Sequence, residues 1–168
     1  MSRFAIIAAA ALVLVSPAVA PRLAAAEEPG SGLRGWGPRV GLTLDNFDQV
    51  HFGGHLDFGN IASHIRFQPN VEIGVGDDIT FVAINAEAAY RFASRWDVWA
   101  PYAGGGLGFD IISLDGPGES GSNTDIGFSA LGGIEKGLSS GHRFFTEMKI
   151  GLVDAPDIKI TAGWTFPL

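Results

Sequence analysis

Cysteine is absent from the 168 residues, which excludes both a disulfide framework and a lipid-anchored N-terminus. Long apolar runs are missing as well, apart from Phe4–Val15, and that run falls short of the ~20 apolar residues of a spanning helix. Basic side chains are scarce, with 11 Lys and Arg against 18 Asp and Glu. A chain this acidic repels the phosphate backbone, so nucleic acid is removed from its partners. The 24 glycines carry no collagen-like period.

What is present begins with an export signal. Arg3, the apolar run, Ser16-Pro17 and the small residues Ala24-Ala25-Ala26 have the order of a secretory signal peptide over residues 1–26. Cleavage is expected after Ala26; the alternative, after Ala20, would leave Pro21 directly behind the cut. Losing Arg3 and Arg22 leaves nine basic residues against all eighteen acidic ones, a net charge of −9. Residues 27–36 are a polar stretch without periodicity, expected to be a flexible leader, and residues 37–168 form one domain.

Ile79–Phe92 organises that domain. Val82, Ile84, Ala86, Ala88, Tyr90 and Phe92 are apolar at even positions, while Asn85, Glu87 and Arg91 take odd ones. A period of two sends alternate side chains to opposite faces of a strand. Fourteen residues exceeds the 5–6 usual for soluble strands and matches the ~9–11 that a tilted strand needs to cross a bilayer. Seven further segments alternate in the same way, around Val40–Leu44, Val50–Phe58, Ile65–Val75, Val98–Ile111, Ile126–Ile134, Phe144–Leu152 and Ile158–Phe166. Gly76-Asp77-Asp78 is a hairpin signal, and Asp115–Asn123 is expected to be a Gly/Ser loop. Phe81 and Phe145 break the alternation, each near a strand end where a bulge or rim position would absorb it.

Eight antiparallel strands predict a closed up-and-down barrel, and the direction of its apolar face distinguishes a soluble lipocalin-like barrel from a transmembrane one. Strand reversal brings Phe58, Tyr90, Phe92, Trp99, Phe144, Trp164 and Phe166 to one end on the apolar face, with Phe52, Phe109 and Phe128 in a thinner ring opposite. A ring of aromatics is what a membrane interface requires, whereas a core would scatter them. The class is therefore all-β, an eight-stranded transmembrane barrel behind a cleavable signal.

Ala89-Tyr90-Arg91-Phe92, the run Pro101–Gly108 and Gly163-Trp164-Thr165-Phe166 resemble small outer-membrane β-barrels of the OmpA/OmpX-like superfamily, over essentially residues 37–168. The resemblance implies a monomeric, cofactor-free barrel of the Gram-negative outer membrane. Its surroundings would be outer-membrane lipid and lipopolysaccharide, and the outer-membrane assembly machinery would insert it. The superfamily commonly ends on an aromatic residue, but here Pro167 and Leu168 follow Phe166. Structural anchors, adhesion factors and lipid-modifying enzymes all share that architecture, so activity does not follow from it.

Three functions are weighed. A packed polar lumen, with a surface role alongside lipopolysaccharide, predicts charges paired inside the barrel. Counting from the turns sets Asp57 across from Arg66, Arg66 across from Glu87, and Glu87 beside Tyr102. Lys149 is expected near Glu147 or Glu135, and Lys159 near Asp45. A solute channel is the second reading, with Gly53, Gly74, Gly105, Gly133 and Gly151 leaving room inside. The third is a lipid A-modifying enzyme. The resemblance implies a His-x-Ser pair on the lipid-facing wall for such deacylases, and no His-x-Ser occurs.

The strand histidines project inward on this register, and His51 and His55, about 13 Å apart at 3.3 Å per residue, are too far apart to share one metal ion. His51, His55 and Glu72 are the remaining catalytic candidates. The outward loops gather acidic residues, and Asp48, Asp77, Asp78 and Asp154 are candidate divalent-cation ligands beside a phosphate-rich leaflet.

Overall fold

Alternation becomes strand wherever both faces have a use. In the computed structural model, residues 32–44, 49–76, 79–116, 119–138, 140–155 and 158–168 are described. They form ten strands: β1 (Gly35–Leu44), β2 (Gln49–Asp57), β3 (Asn60–Ala62), β4 (Ile65–Phe67), β5 (Asn70–Gly76), β6 (Ile79–Arg91), β7 (Trp99–Gly116), β8 (Glu119–Gly137), β9 (Arg143–Val153) and β10 (Ile158–Pro167). β2 with β3 makes one stave and β4 with β5 another, so the wall has the expected eight. At the two breaks, Leu56 N–H donates to Pro69 O (2.9 Å), Phe58 N–H to Phe67 O (3.1 Å) and Gln68 N–H to Glu87 O (2.9 Å), which carries the ladder past a proline that cannot donate.

Every neighbouring pair is antiparallel, β1 joins β10, and the β6–β7 pairing closes the circuit. Closure leaves no strand edge to unravel. Unboiled protein in detergent is accordingly expected to migrate differently on a denaturing gel from boiled protein. Identical migration, with the protein soluble in the periplasmic fraction, would contradict a closed membrane wall.

The barrel is inside-out relative to a soluble one. Among the described residues, eighteen polar or charged side chains are buried against seven apolar ones. Outward positions are apolar and open, as with Val40 at 54% exposure, Phe52 at 50% and Ile126 at 53%. A lipocalin-like reading requires the opposite arrangement, and water would not tolerate this much continuous apolar wall. The chain is a transmembrane β-barrel.

Four expectations are corrected. The stretch expected to be a Gly/Ser loop is paired backbone, from Ile112↔Asn123 through Gly116↔Glu119, and lengthens the β7–β8 hairpin. Phe81 (4% exposed) and Phe145 (1%) are neither bulged nor at the rim; both point into the lumen. β1 starts earlier than expected, since Gly35 pairs with Asp57 and Pro167, and Trp36 with Leu56 and Phe166. The glycines do not hollow the lumen: a Cβ at Gly133 would lie 2.6 Å from the Tyr102 hydroxyl, and one at Gly163 would overlap the Phe145 ring. These two positions are glycine because a large neighbour already fills the space. The expected signal peptide, residues 1–26, lies outside the described residues, as does the first half of the leader, residues 27–31.

Candidate functional site

The lumen is filled by two charge clusters. In the central one, Arg39 on β1 faces three carboxylates from three different strands. Its Nη1 lies 3.3 Å from Glu72 and 3.5 Å from Glu87, and its Nη2 lies 3.3 Å from Glu147. Lys149 pairs with Glu87 and lies 3.5 Å from Glu72, while Lys159 lies 3.1 Å from Glu72. Three cations thus balance three anions, as burial demands. Tyr102 donates its hydroxyl to Glu147 at 3.0 Å. The two aromatics that broke the alternation serve the cations: Lys159 Nζ sits 4.4 Å from the centre of the Phe81 ring, and the Arg39 guanidinium 5.5 Å from that of Phe145.

The second cluster lies towards the end where β1 begins. Arg66 pairs with Glu135 and stacks over Tyr102 at 5.1 Å. Glu135 also holds Arg91 Nε at 2.8 Å and Arg143 Nε at 3.2 Å, and Arg143 pairs with Asp57. Asp57 Oδ1 additionally accepts Gly59 N–H at 2.8 Å, which fixes the corner where Gly59 takes φ 67°.

These contacts revise the expected pairs. Asp57 pairs with Arg143 rather than Arg66, and Glu87 with Lys149 and Arg39 rather than Arg66. Glu135 takes Arg66, and Lys149 goes to Glu87 and Glu72 rather than to Glu147 or Glu135. The physical reason is register. β3 shifts against β4 between Asn60 and Ala62, and Arg66 lies across from Ala89 because Gly76 pairs with Ile79. Arg39, the centre of the inner cluster, was visible only as one polar-face residue of the first strand. Lys159 is held by Glu72, and its expected partner Asp45 lies outside the described residues.

On the outer wall the seven aromatics lie at one end, and Trp36 and Phe67 join them. Phe144 stands between Trp99 (6.2 Å) and Trp164 (5.7 Å), Trp36 meets Phe166 (5.6 Å), Tyr90 meets Phe92 (5.3 Å) and Phe58 meets Phe67 (5.9 Å). With β1, β10, β9, β7, β6, β4 and the end of β2 all contributing, the band encircles the barrel.

No family model matches the chain, and no curated protein matches it. Solved structures do. Neisserial surface protein A superposes with a TM-score of 0.66 at 15% identity, covering 83% of this chain and 99% of that one. The N-terminal β-barrel domain of Pseudomonas aeruginosa OprF gives 0.65 at 12% identity, covering 82% of this chain and 99% of that domain. The fold is that of the small eight-stranded outer-membrane barrels.

Within that barrel the catalytic candidates are engaged otherwise. His51 bonds through Nδ1 to Thr43 Oγ1 and through Nε2 to Thr161 Oγ1, both at 3.0 Å, and its side chain is fully buried. His55 Nε2 bonds to Thr165 Oγ1 at 2.9 Å. Glu72 is taken by Arg39 and two lysines. His64 does not project inward: with φ 63° it turns the β3–β4 corner and lays its ring 5.6 Å from Tyr90. Of the acidic rim, Asp154 is exposed after β9 with φ 42°, while Asp48, Asp77 and Asp78 lie outside the described residues.

Proposed function

We propose that the protein is a non-enzymatic barrel of the Gram-negative outer membrane, with a closed lumen and a structural role at the surface beside lipopolysaccharide. The observation that carries this reading is the filled interior. Arg39 and Glu72 have fully buried side chains with their charges met on several sides, which supports a lumen closed to solute. An ester in the lipid A region approaches from the lipid face, whereas His51, His55 and Glu72 all point away from it. Support for a surface role comes from β7 and β8, 18 and 19 residues long, which exceed the ~9–11 needed to cross a bilayer. Their far ends lie at the end opposite the aromatic band, where β7 stays paired with β6 up to Leu114 and β8 pairs with β9 only from Phe128 on.

Planar-bilayer recording and thermal unfolding test the two halves. The expected result is no steady open conductance, together with a melting temperature higher in lipopolysaccharide-containing bilayers than in phospholipid alone. A large, persistent conductance would overturn the closed lumen in favour of a solute channel. Altered lipid A mass in expressing cells would overturn the non-enzymatic reading.

A further inference from the structure

The apolar outer wall is not uniform. Where β1, β2, β5 and β6 run side by side it carries a groove of about 580 Å³. Pro38 lies across from Gly54, Gly54 across from Val71 and Val71 across from Ile84, so the floor of the groove crosses four staves. At about 4.8 Å between strands, that row is about 14 Å long. Trp36 and Leu56, paired with each other, stand on the side of the aromatic band together with Pro69. Trp36, Leu56, Val71 and Ile84 are all exposed. The hollow exists because residue 54 has no side chain, although it holds an outward position of β2 between Phe52 and Leu56. A Cβ at Gly54 would meet only Gly37 O, at 3.6 Å, an ordinary contact. Glycine inside a strand weakens it and packs against nothing. Unlike Gly133 and Gly163, then, Gly54 is not forced by a neighbour, and what it provides is the open space itself.

We infer that this groove is a binding site for one acyl chain of a phospholipid. Its volume falls within the ~300–1,000 Å³ of sites that hold a small ligand. Its floor is about as long as half of a ~30 Å hydrocarbon core is deep. Within a bilayer, association is driven by van der Waals packing, so a hollow that a flexible chain can follow holds that chain better than the convex wall beside it. A second copy of the barrel does not fill the hollow. Two copies in one membrane stand the same way up, and a two-fold axis along the bilayer normal sets groove against groove. The choice of phospholipid over lipopolysaccharide rests on the surface role proposed above. The groove lies between the aromatic band at Trp36 and the middle of β1 at Val40, at the end away from the far β7–β8 hairpin. That end belongs to the inner leaflet, which is built of phospholipid.

Native mass spectrometry of the barrel, extracted from outer membranes in mild non-ionic detergent, tests it. The expected result is one phospholipid retained per barrel, with retention about tenfold lower in Gly54→Leu, whose side chain fills the floor. The heat-dependent gel migration of that variant is expected to match wild type, because the new side chain meets no backbone. If Gly54→Leu does not give the migration of a folded barrel, Gly54→Ala is read instead, with an intermediate loss expected. Gly132→Leu is the control: Gly132 is also outward and open, its Cβ meeting only Tyr102 O at 3.9 Å, but it stands on β8, away from the groove. Its retention is expected to equal wild type. The proposal is overturned by an absence of retained phospholipid, by unchanged retention in the folded Gly54 variant, or by an equal loss in Gly132→Leu. A dimer abolished by Gly54→Leu would overturn it in favour of a second copy. Lipopolysaccharide retained in place of phospholipid would overturn it by moving the groove to the other leaflet. An open conductance, or a melting temperature that lipopolysaccharide does not raise, bears on the surface reading alone.

Discussion

Arg39→Ala is expected to lower the unfolding free energy by about 3–5 kcal/mol, the cost of leaving buried charge without its partner. The three carboxylates at Arg39 are not equally exposed to its loss. Glu72 keeps Lys149 and Lys159, and Glu87 keeps Lys149, but among the described residues Glu147 keeps only the Tyr102 hydroxyl as a direct side-chain contact. The damage therefore concentrates on Glu147, and the double variant Arg39→Ala, Glu147→Gln restores charge balance and recovers a large part of the loss. Arg66→Ala is expected to cost less, because Glu135 retains Arg91 at 2.8 Å and Arg143 at 3.2 Å. Urea unfolding in lipid vesicles, followed by tryptophan fluorescence, checks the order. Equal midpoints for the Arg39 and Arg66 variants, or no recovery in the double variant, would show that Arg39 is not the centre of the lumen.

That centre was hidden from sequence reasoning for a definable reason, while the barrel itself was not. Alternation is local, so Val82, Ile84 and Ala86 against Asn85 and Glu87 announce a two-faced strand to anyone counting by twos. Antiparallel reversal then brings the aromatics to one end without any knowledge of tilt. Charge pairing across a lumen is not local: Arg39 meets Glu147 at a separation of 108 residues and Lys159 meets Glu72 at 87. Those contacts depend on shear and closure, which a hairpin count does not supply.

The count of wall neighbours slips at Arg66 by two residues on one side, where Ala89 and not Glu87 lies across from it because Gly76 pairs with Ile79. On the other side it slips by three, where Asn60 and not Asp57 lies across from it beside an irregularity that leaves no mark in a stretch whose composition already reads as a turn. Within the central cluster Glu72, Glu87 and Glu147 outnumber Lys149 and Lys159 by one, and Arg39 supplies the missing cation. The β7–β8 ribbon was missed because glycine, serine and asparagine favour turns in isolation, and cross-strand pairing overrode that preference. In the sequence Phe81 and Phe145 read as irregularities, because an apolar residue on a polar face has no evident use until a cation is found above its ring.

Val40→Arg is expected to cost about 2–4 kcal/mol, although Val40 is 54% exposed and touches no part of the lumen. The residue stands midway along β1, between Trp36 in the aromatic band and Leu44 at the far end, with Ala162 and Phe52 as its strand neighbours. On a soluble surface such a change stays within about 0.5 kcal/mol, since an arginine there is simply hydrated. On this wall the guanidinium would sit near the middle of the hydrocarbon, where no water or carboxylate is available to it. Depth sets the size of the effect, so Leu44→Arg, close to the interface, is expected to cost only about 0–1 kcal/mol. The difference between the two variants cancels the intrinsic cost of exchanging an aliphatic side chain for arginine on a strand. Reversible folding into lipid vesicles measures both, and equal values within a few tenths of a kcal/mol would mean that the exposed apolar wall does not face a bilayer.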